Sequence, residues 1–134
     1  MAKLLLKIEL IPHEEQRYET AGDWQIDADG AICIKVSDTG LRMDALLVGI
    51  HEAIEVILCR EHGVKEADVD AFDIEFNRTH DLSEEEPGED PKAPYFKEHA
   101  VADVVERLLA LHAGVPWKEY EDRIDAFFEK GEQQ

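Results

Sequence analysis

Basic residues are scarce in this chain of 134 residues: 14 lysines and arginines stand against 32 aspartates and glutamates, a formal net charge of −18. That excess repels phosphate backbones and anionic headgroups, which argues against nonspecific binding to nucleic acid or to a membrane surface. It suits a solvated surface, or a protein that attracts cations, metal ions among them. Cysteine is nearly absent. Cys33 and Cys59 are too few for a disulfide framework, match no paired zinc-ligand spacing and sit among apolar neighbours as small hydrophobes, which fits a reducing cytoplasm. No apolar run approaches membrane-spanning length. The opening "MAKLLLKIELIP" has a lysine inside its short apolar run and no small-residue cleavage site, so it reads as a strand rather than a signal peptide. A glycine-rich phosphate loop, a G-x-S-x-G elbow and a Cys–His nucleophile pair are also missing, as are internal repeats and linkers.

What is present suits one globular domain over residues 1–134, with 44% hydrophobic and 34% charged residues. Residues 3–11 read as a strand. "DWQID", the turn "ADG" and "AICIKVSD" read as a hairpin, with Ile32, Ile34 and Val36 on one face and Cys33 and Lys35 on the other. The strand region closes at residue 37, and "SDTG" begins the turn to a helix over about 41–62 that stops at Gly63. "KEADVDAFDIEF" suggests a short second helix or turn; its Asp70, Asp73 and Glu75 suit capping and turn roles, with an approach to the polar stripe of the first helix as the alternative. Residues 77–94 form an acidic, proline-bearing loop, either solvated or a lid. A helical pair fills 95–130: a third helix over about 95–112 and a fourth from Pro116, with Trp117, Tyr120, Ile124, Phe127 and Phe128 on one side. The tail "EKGEQQ" is expected to fray. The fold expected is α+β, a small antiparallel sheet packed on three to four helices.

The first helix poses the functional question. Leu46, Leu47, Ile50, Ile54, Ile57 and Leu58 make one broad apolar face at helical spacing, and Val48, Val56 and Cys59 extend it. Through this surface runs a stripe of His51, Glu55 and His62, with Glu52 farther round. A buried carboxylate without partners costs several kcal/mol or neutralises, whereas a metal ion balances its charge. His51 and Glu55, at i and i+4, can point at one ion. Glu52 would face an open coordination position and take a proton from water there. His62 lies too far along for the same ion and instead suits the helix C-terminus. On the third helix His99, Asp103 and Glu106 share a stripe, opposite an expected core face of Val101, Val104, Val105 and Leu108. His99 would complete a His51, Glu55, His99 set, a ligand mix of catalytic zinc, with another divalent cation as the alternative; Asp103 and Glu106 serve as reserve ligands or as partners of a ligand histidine.

"GIHEAIEVILC", followed by a histidine-bearing helix, resembles minimal zincin-like proteins, small metallohydrolase-type domains often encoded by phages or bacterial genomes. "VDAFDIEF", "EPGEDPKAPYFKEH" and "ERLLA" are similar to the same group. Glu55 stands where a second histidine would be in a zincin, so the motif is H-E-x-x-E. The resemblance implies a metal-binding helix pair and a zinc hydrolase, with a peptide or protein substrate in the cytoplasm, the host's if phage-encoded.

Two other functions fit the same residues. Glu52 and Glu55 with Glu98, Asp103 and Glu106 are reminiscent of the magnesium-binding carboxylates of all-α nucleotide pyrophosphohydrolases, although the strands at the start and the lack of E-x-x-D on the third helix count against this. A non-catalytic phage or mobile-element adaptor would keep His51 and Glu55 as a buried polar network.

Overall fold

The computed structural model describes residues 2–129; the segment 130–134, where fraying was expected, lies outside them. Three strands, β1 (Leu6–Ile11), β2 (Gly22–Ile26) and β3 (Ile32–Ser37), precede four helices, α1 (Arg42–Glu61), α2 (Glu66–Thr79), α3 (Phe96–Ala113) and α4 (Trp117–Asp125). The fold is α+β, with a small sheet beside the helices. No helix among the described residues is long and apolar enough to cross a membrane.

The hairpin forms as its alternation predicts. β2 and β3 are antiparallel, and Ile32, Ile34 and Val36 line the buried face while Cys33 and Lys35 sit half-exposed on the other. β1 departs from expectation. It lies parallel to β3, Leu6 beside Ile32 and Leu10 beside Val36, so the sheet is mixed, in the order β1-β3-β2. The cause is the segment 12–21, which crosses the end of β3 instead of turning back beside β1. Gln16 pins that crossing by donating its amide to the Lys35 carbonyl at 3.2 Å and to Ser37 Oγ at 3.1 Å. His13 Nδ1 meets the same hydroxyl at 2.8 Å.

α1 lies across the buried face of the sheet, where Leu47, Val48, Val56 and Cys59 join Trp24, Ile34, Val36, Tyr95 and Tyr120 in the core. Fully burying such a side chain contributes about 1.5–3 kcal/mol. Gly49 admits β1 closely, since a Cβ there would stand 3.0 Å from Ile8 Cγ2. The helix ends at His62 and Gly63, whose φ of +76° makes it the left-handed cap anticipated from its position. His62 does not serve the helix end alone: its Nδ1 lies 2.5 Å from Glu98 Oε2.

Two expected core faces turn outward. On α1, Leu46 and Ile57 are exposed and Ile50, Ile54 and Leu58 only half-buried. On α3 the inversion goes further, with only Val105 of the expected face staying half-buried. Val104 and Leu108 are 57% and 61% exposed, while His99 and Glu106 on the opposite side are 6% and 8% exposed. The polar stripe of α3 packs against the polar stripe of α1, where each acid or imidazole finds a partner, and the aliphatic stripe is left outside.

The acidic stretch is also more ordered than a solvated loop. α2 takes 14 residues, and the chain then makes a 3-10 turn at Pro87–Glu89 before α3. α4 stops at Asp125, so Phe127 and Phe128 lie in the turns that follow it, where His13 stacks on the Phe127 ring at 4.5 Å.

Candidate metal centre

α1 supplies His51 and Glu55 one helical turn apart, and α3, packed alongside, supplies His99. All three are buried. Their inner atoms form a nearly equilateral triangle: His51 Nε2 to His99 Nδ1 is 3.2 Å, His51 Nε2 to Glu55 Oε2 3.3 Å and His99 Nδ1 to Glu55 Oε2 3.0 Å. Bonds of about 2.0–2.1 Å to a tetrahedral zinc ion would place ligand atoms roughly 3.3 Å apart, close to these edges. Hydrogen bonds close the same triangle in only one tautomer: with the His51 proton on Nδ1, His99 Nδ1–H is shared between Glu55 Oε2 and His51 Nε2, whereas two inward N–H groups would face each other.

The surrounding groups orient the three. His51 Nδ1 lies 2.7 Å from Glu106 Oε1; with the proton on this nitrogen, Nε2 would present its lone pair inward to an ion. Tyr120 donates its hydroxyl to the other Glu106 oxygen at 2.5 Å, and Trp24 donates its indole N–H to Glu55 Oε1 at 3.2 Å. His99 Nε2 is buried with no hydrogen-bond partner among the described residues; the nearest carboxylate oxygen, on Glu86, is 3.9 Å away. The turn at Pro87–Glu89 closes over this ring. A Cβ on Gly88 would lie 2.4 Å from His99 Nδ1, so only glycine fits.

Charge in the cluster follows from these contacts. Burial opposes protonation of His51, but its hydrogen bonds to Glu106 and Glu55 prevail and hold its pKa well above the ordinary imidazole value. Burial likewise opposes the charge of Glu55, yet hydrogen bonds from His51 and His99 bring its carboxyl down to about 2. Glu52 behaves oppositely: burial and the neighbouring charge of Glu55 push it well above the carboxylate range. It lines the same cavity and makes no hydrogen bond or ion pair with a described residue. A carboxyl poised to hold a proton beside a potential ion site has the character of an acid–base group.

Asp103 and Glu106 take different places. Glu106 braces His51, while Asp103 is half-buried and pairs with Arg107 at 3.2 Å, although His51, Asp103 and Glu106 are also close enough to form a second candidate group. Replacing Glu106 by alanine removes the support behind His51 and is expected to weaken zinc binding about 10–100-fold. Competition with a chromogenic chelator measures this; unchanged affinity would place the ion elsewhere. Glu98, by contrast, points to His62.

The cavity encloses about 150 Å³, and Asp70 and Asp73 of α2 approach it, the alternative to a capping role. Asp73 is buried and accepts hydrogen bonds from Tyr95 at 2.5 Å and Tyr18 at 3.1 Å, rather than capping a turn. Beside it Arg17 bridges Asp23 and Asp70. Trp24 and Tyr120 read as core aromatics, and they are, but their polar tips also hold Glu55 and Glu106. The only sequence signal for this double role is that buried Trp and Tyr need a hydrogen-bond partner.

Burial raises the Asp73 carboxyl to about 7, the hydrogen bond from Tyr95 pulling the other way. The folded state therefore keeps a proton that the unfolded state releases near 3.8, and the stability contributed by this group is lost as pH rises through about 7. Asp73→Asn has no proton to lose. Its stability relative to wild type is expected to rise between pH 5 and pH 8 by about 2–3 kcal/mol, at about 1.36 kcal/mol per unit. Urea unfolding at both pH values tests this, and a constant difference would contradict it.

Among the described residues, each group of side chains able to hold an ion contains His51, and the tightest is His51, Glu55 and His99. No family model, curated protein or solved structure matches the chain, so any reading of its function rests on the geometry of this centre.

Proposed function

We propose that the chain is a zinc-dependent hydrolase domain of the minimal zincin type, acting on a peptide or other amide bond. The observation that carries this reading is the buried triangle of two imidazole nitrogens and one carboxylate oxygen, with 3.0–3.3 Å edges. His51, Glu55 and His99 hold the ion, and Glu106 fixes the tautomer of His51. Three protein ligands leave a fourth position open, the pattern of catalytic rather than structural zinc. When bound, zinc polarises the amide carbonyl and lowers the pKa of water in that position. Glu52 accepts the proton of the attacking water and returns it to the departing amine, a task suited to a carboxyl whose pKa its surroundings already raise. The magnesium reading is less well supported, because the carboxylates of α3 are engaged separately: Glu98 with His62, Asp103 with Arg107 and Glu106 with His51.

The test is cleavage of a mixed fluorogenic peptide library by zinc-loaded protein, wild type against Glu52→Gln. Wild type is expected to cleave, and the variant to keep its zinc while losing about 10²–10⁴-fold in rate. Zinc-loaded wild type that cleaves nothing, or a variant of unchanged rate, would contradict the assignment.

A further inference from the structure

Among the described residues, β1 presents both an unpaired edge and an uncovered apolar face. It pairs with β3 on one side only. Ile32 N–H donates to the Leu5 carbonyl and Asp38 N–H to the Ile11 carbonyl, so the odd-numbered residues of the strand turn their main-chain groups to β3. Leu6, Ile8 and Leu10 therefore turn theirs to the free edge. Their side chains share the face of Ile32, Ile34 and Val36, on the α1 side of the sheet, yet remain 39%, 37% and 51% exposed. Gly49 of α1 lies against Ile8, and Leu46 and Ile57 of the same helix are exposed. An edge of this kind, aliphatic on one face and charged at Lys7 and Glu9 on the other, is a template for addition of a strand of complementary charge.

We propose that the occupant is a second copy of this chain, joined through antiparallel pairing of β1 with β1 about a twofold axis at Ile8. The stretch "LLKIELI" admits one good register. The outward main-chain groups require even-numbered residues to face even-numbered ones. Centring the pair on Lys7 or on Glu9 would set like charges directly opposite each other, which is destabilising. Centring it on Ile8 sets Lys7 opposite the second copy's Glu9, and Glu9 opposite its Lys7. Ile8 then faces Ile8, and Leu6 faces Leu10, each pair exchanging both N–H···O bonds. Two three-stranded sheets become one continuous sheet, and the apolar sides of the two α1 helices approach across the axis. The contact is isologous, so it closes at two copies instead of growing into a filament.

Light scattering on the full chain gives the first reading. The monomer is 15.2 kDa, and a particle of about twice that mass is expected at micromolar concentration. Leu10→Pro removes a donor that points away from β3, a position where edge strands tolerate proline, and is expected to give monomer with unchanged circular dichroism. The charge pattern supplies the decisive variants. Lys7→Glu and Glu9→Lys are each expected to weaken the homodimer about tenfold, by opposing like charges twice across the axis. Mixed together, the two variants are expected to form a heterodimer at least as stable as the wild-type dimer. A wild-type chain that stays monomeric would overturn the proposal and leave this face to a different protein. A dimer indifferent to Leu10→Pro, or variants whose mixture associates no better than each alone, would overturn the strand register.

Discussion

Replacing His51 by alanine is expected to lower zinc affinity several hundredfold and to leave the fold in place. The magnitude follows from structural zinc sites, where about 10–16 kcal/mol is shared among four ligands, so that one ligand is worth roughly 3–4 kcal/mol. His51 is the side chain through which the two halves of the centre communicate. One nitrogen meets Glu55 and His99, and the other meets Glu106. Without it Glu55 and Glu106 remain buried acids with a gap between them, and His99 keeps a single carboxylate partner. Isothermal titration of wild type and variant with zinc measures the difference; retention of wild-type affinity would remove His51 from the ligand set. The pH dependence has a defined sign. His51 in the folded chain holds its proton well above the ordinary imidazole value, so without zinc this histidine stabilises fully below the unfolded pKa of about 6.5 and its contribution fades as pH rises through the folded value. Zinc competes with that same proton. The increase in melting temperature caused by zinc should accordingly grow with pH and shrink toward acid, an effect absent from His51→Ala.

The second large effect concerns Asp44, which is outside the candidate ligand set. Asp44 is 1% exposed in the first turn of α1, where a negative charge also suits the helix dipole. Arg123 of α4 donates to it twice, at 2.6 and 2.9 Å, and Thr39 donates its hydroxyl at 2.7 Å. This fork fastens the last helix to the motif helix, and with it Tyr120, which holds Glu106. Asp44→Ala leaves a guanidinium without its carboxylate and a hydroxyl without an acceptor. Breaking a buried pair costs about 3–5 kcal/mol, and the partial exposure of Arg123 lowers the expectation to about 2–4 kcal/mol, a fall in melting temperature of roughly 10 °C. Thermal unfolding of Asp44→Ala, Arg123→Ala and the double variant tests it. If the single losses simply add, the two side chains are not coupled and this account of α4 is wrong.

The sequence reading and the structure agree where one physical signal dominates and part where two compete. The face of Ile32, Ile34 and Val36 was legible because alternation in a strand has only two phases, and the glycine stop at Gly63 because few residues accept its backbone angle. The meeting of His51, Glu55 and His99 was legible from helical spacing once both helices were recognised. Helical spacing separates two faces of α3 but does not say which goes inside. Aliphatic residues ordinarily settle that choice, and here paired polar groups outweigh them. The parallel pairing of β1 was hidden because it depends on the hydrogen bonds of Gln16 and His13 to the end of β3, contacts between segments with no periodic signature. The approach of Asp73 to the site was legible as one of two alternatives, but its partners were not, since Tyr18 and Tyr95 come from distant parts of the chain.

Metal content of the purified full chain, determined by mass spectrometry after growth with zinc and dialysis without chelator, bears most directly on the centre. The geometry predicts about one zinc ion per chain in wild type and almost none when His51 and His99 are both alanine. A wild-type chain that holds no stoichiometric metal even after zinc is supplied would contradict the account, and would leave His51, Glu55 and His99 as a buried polar network and nothing more.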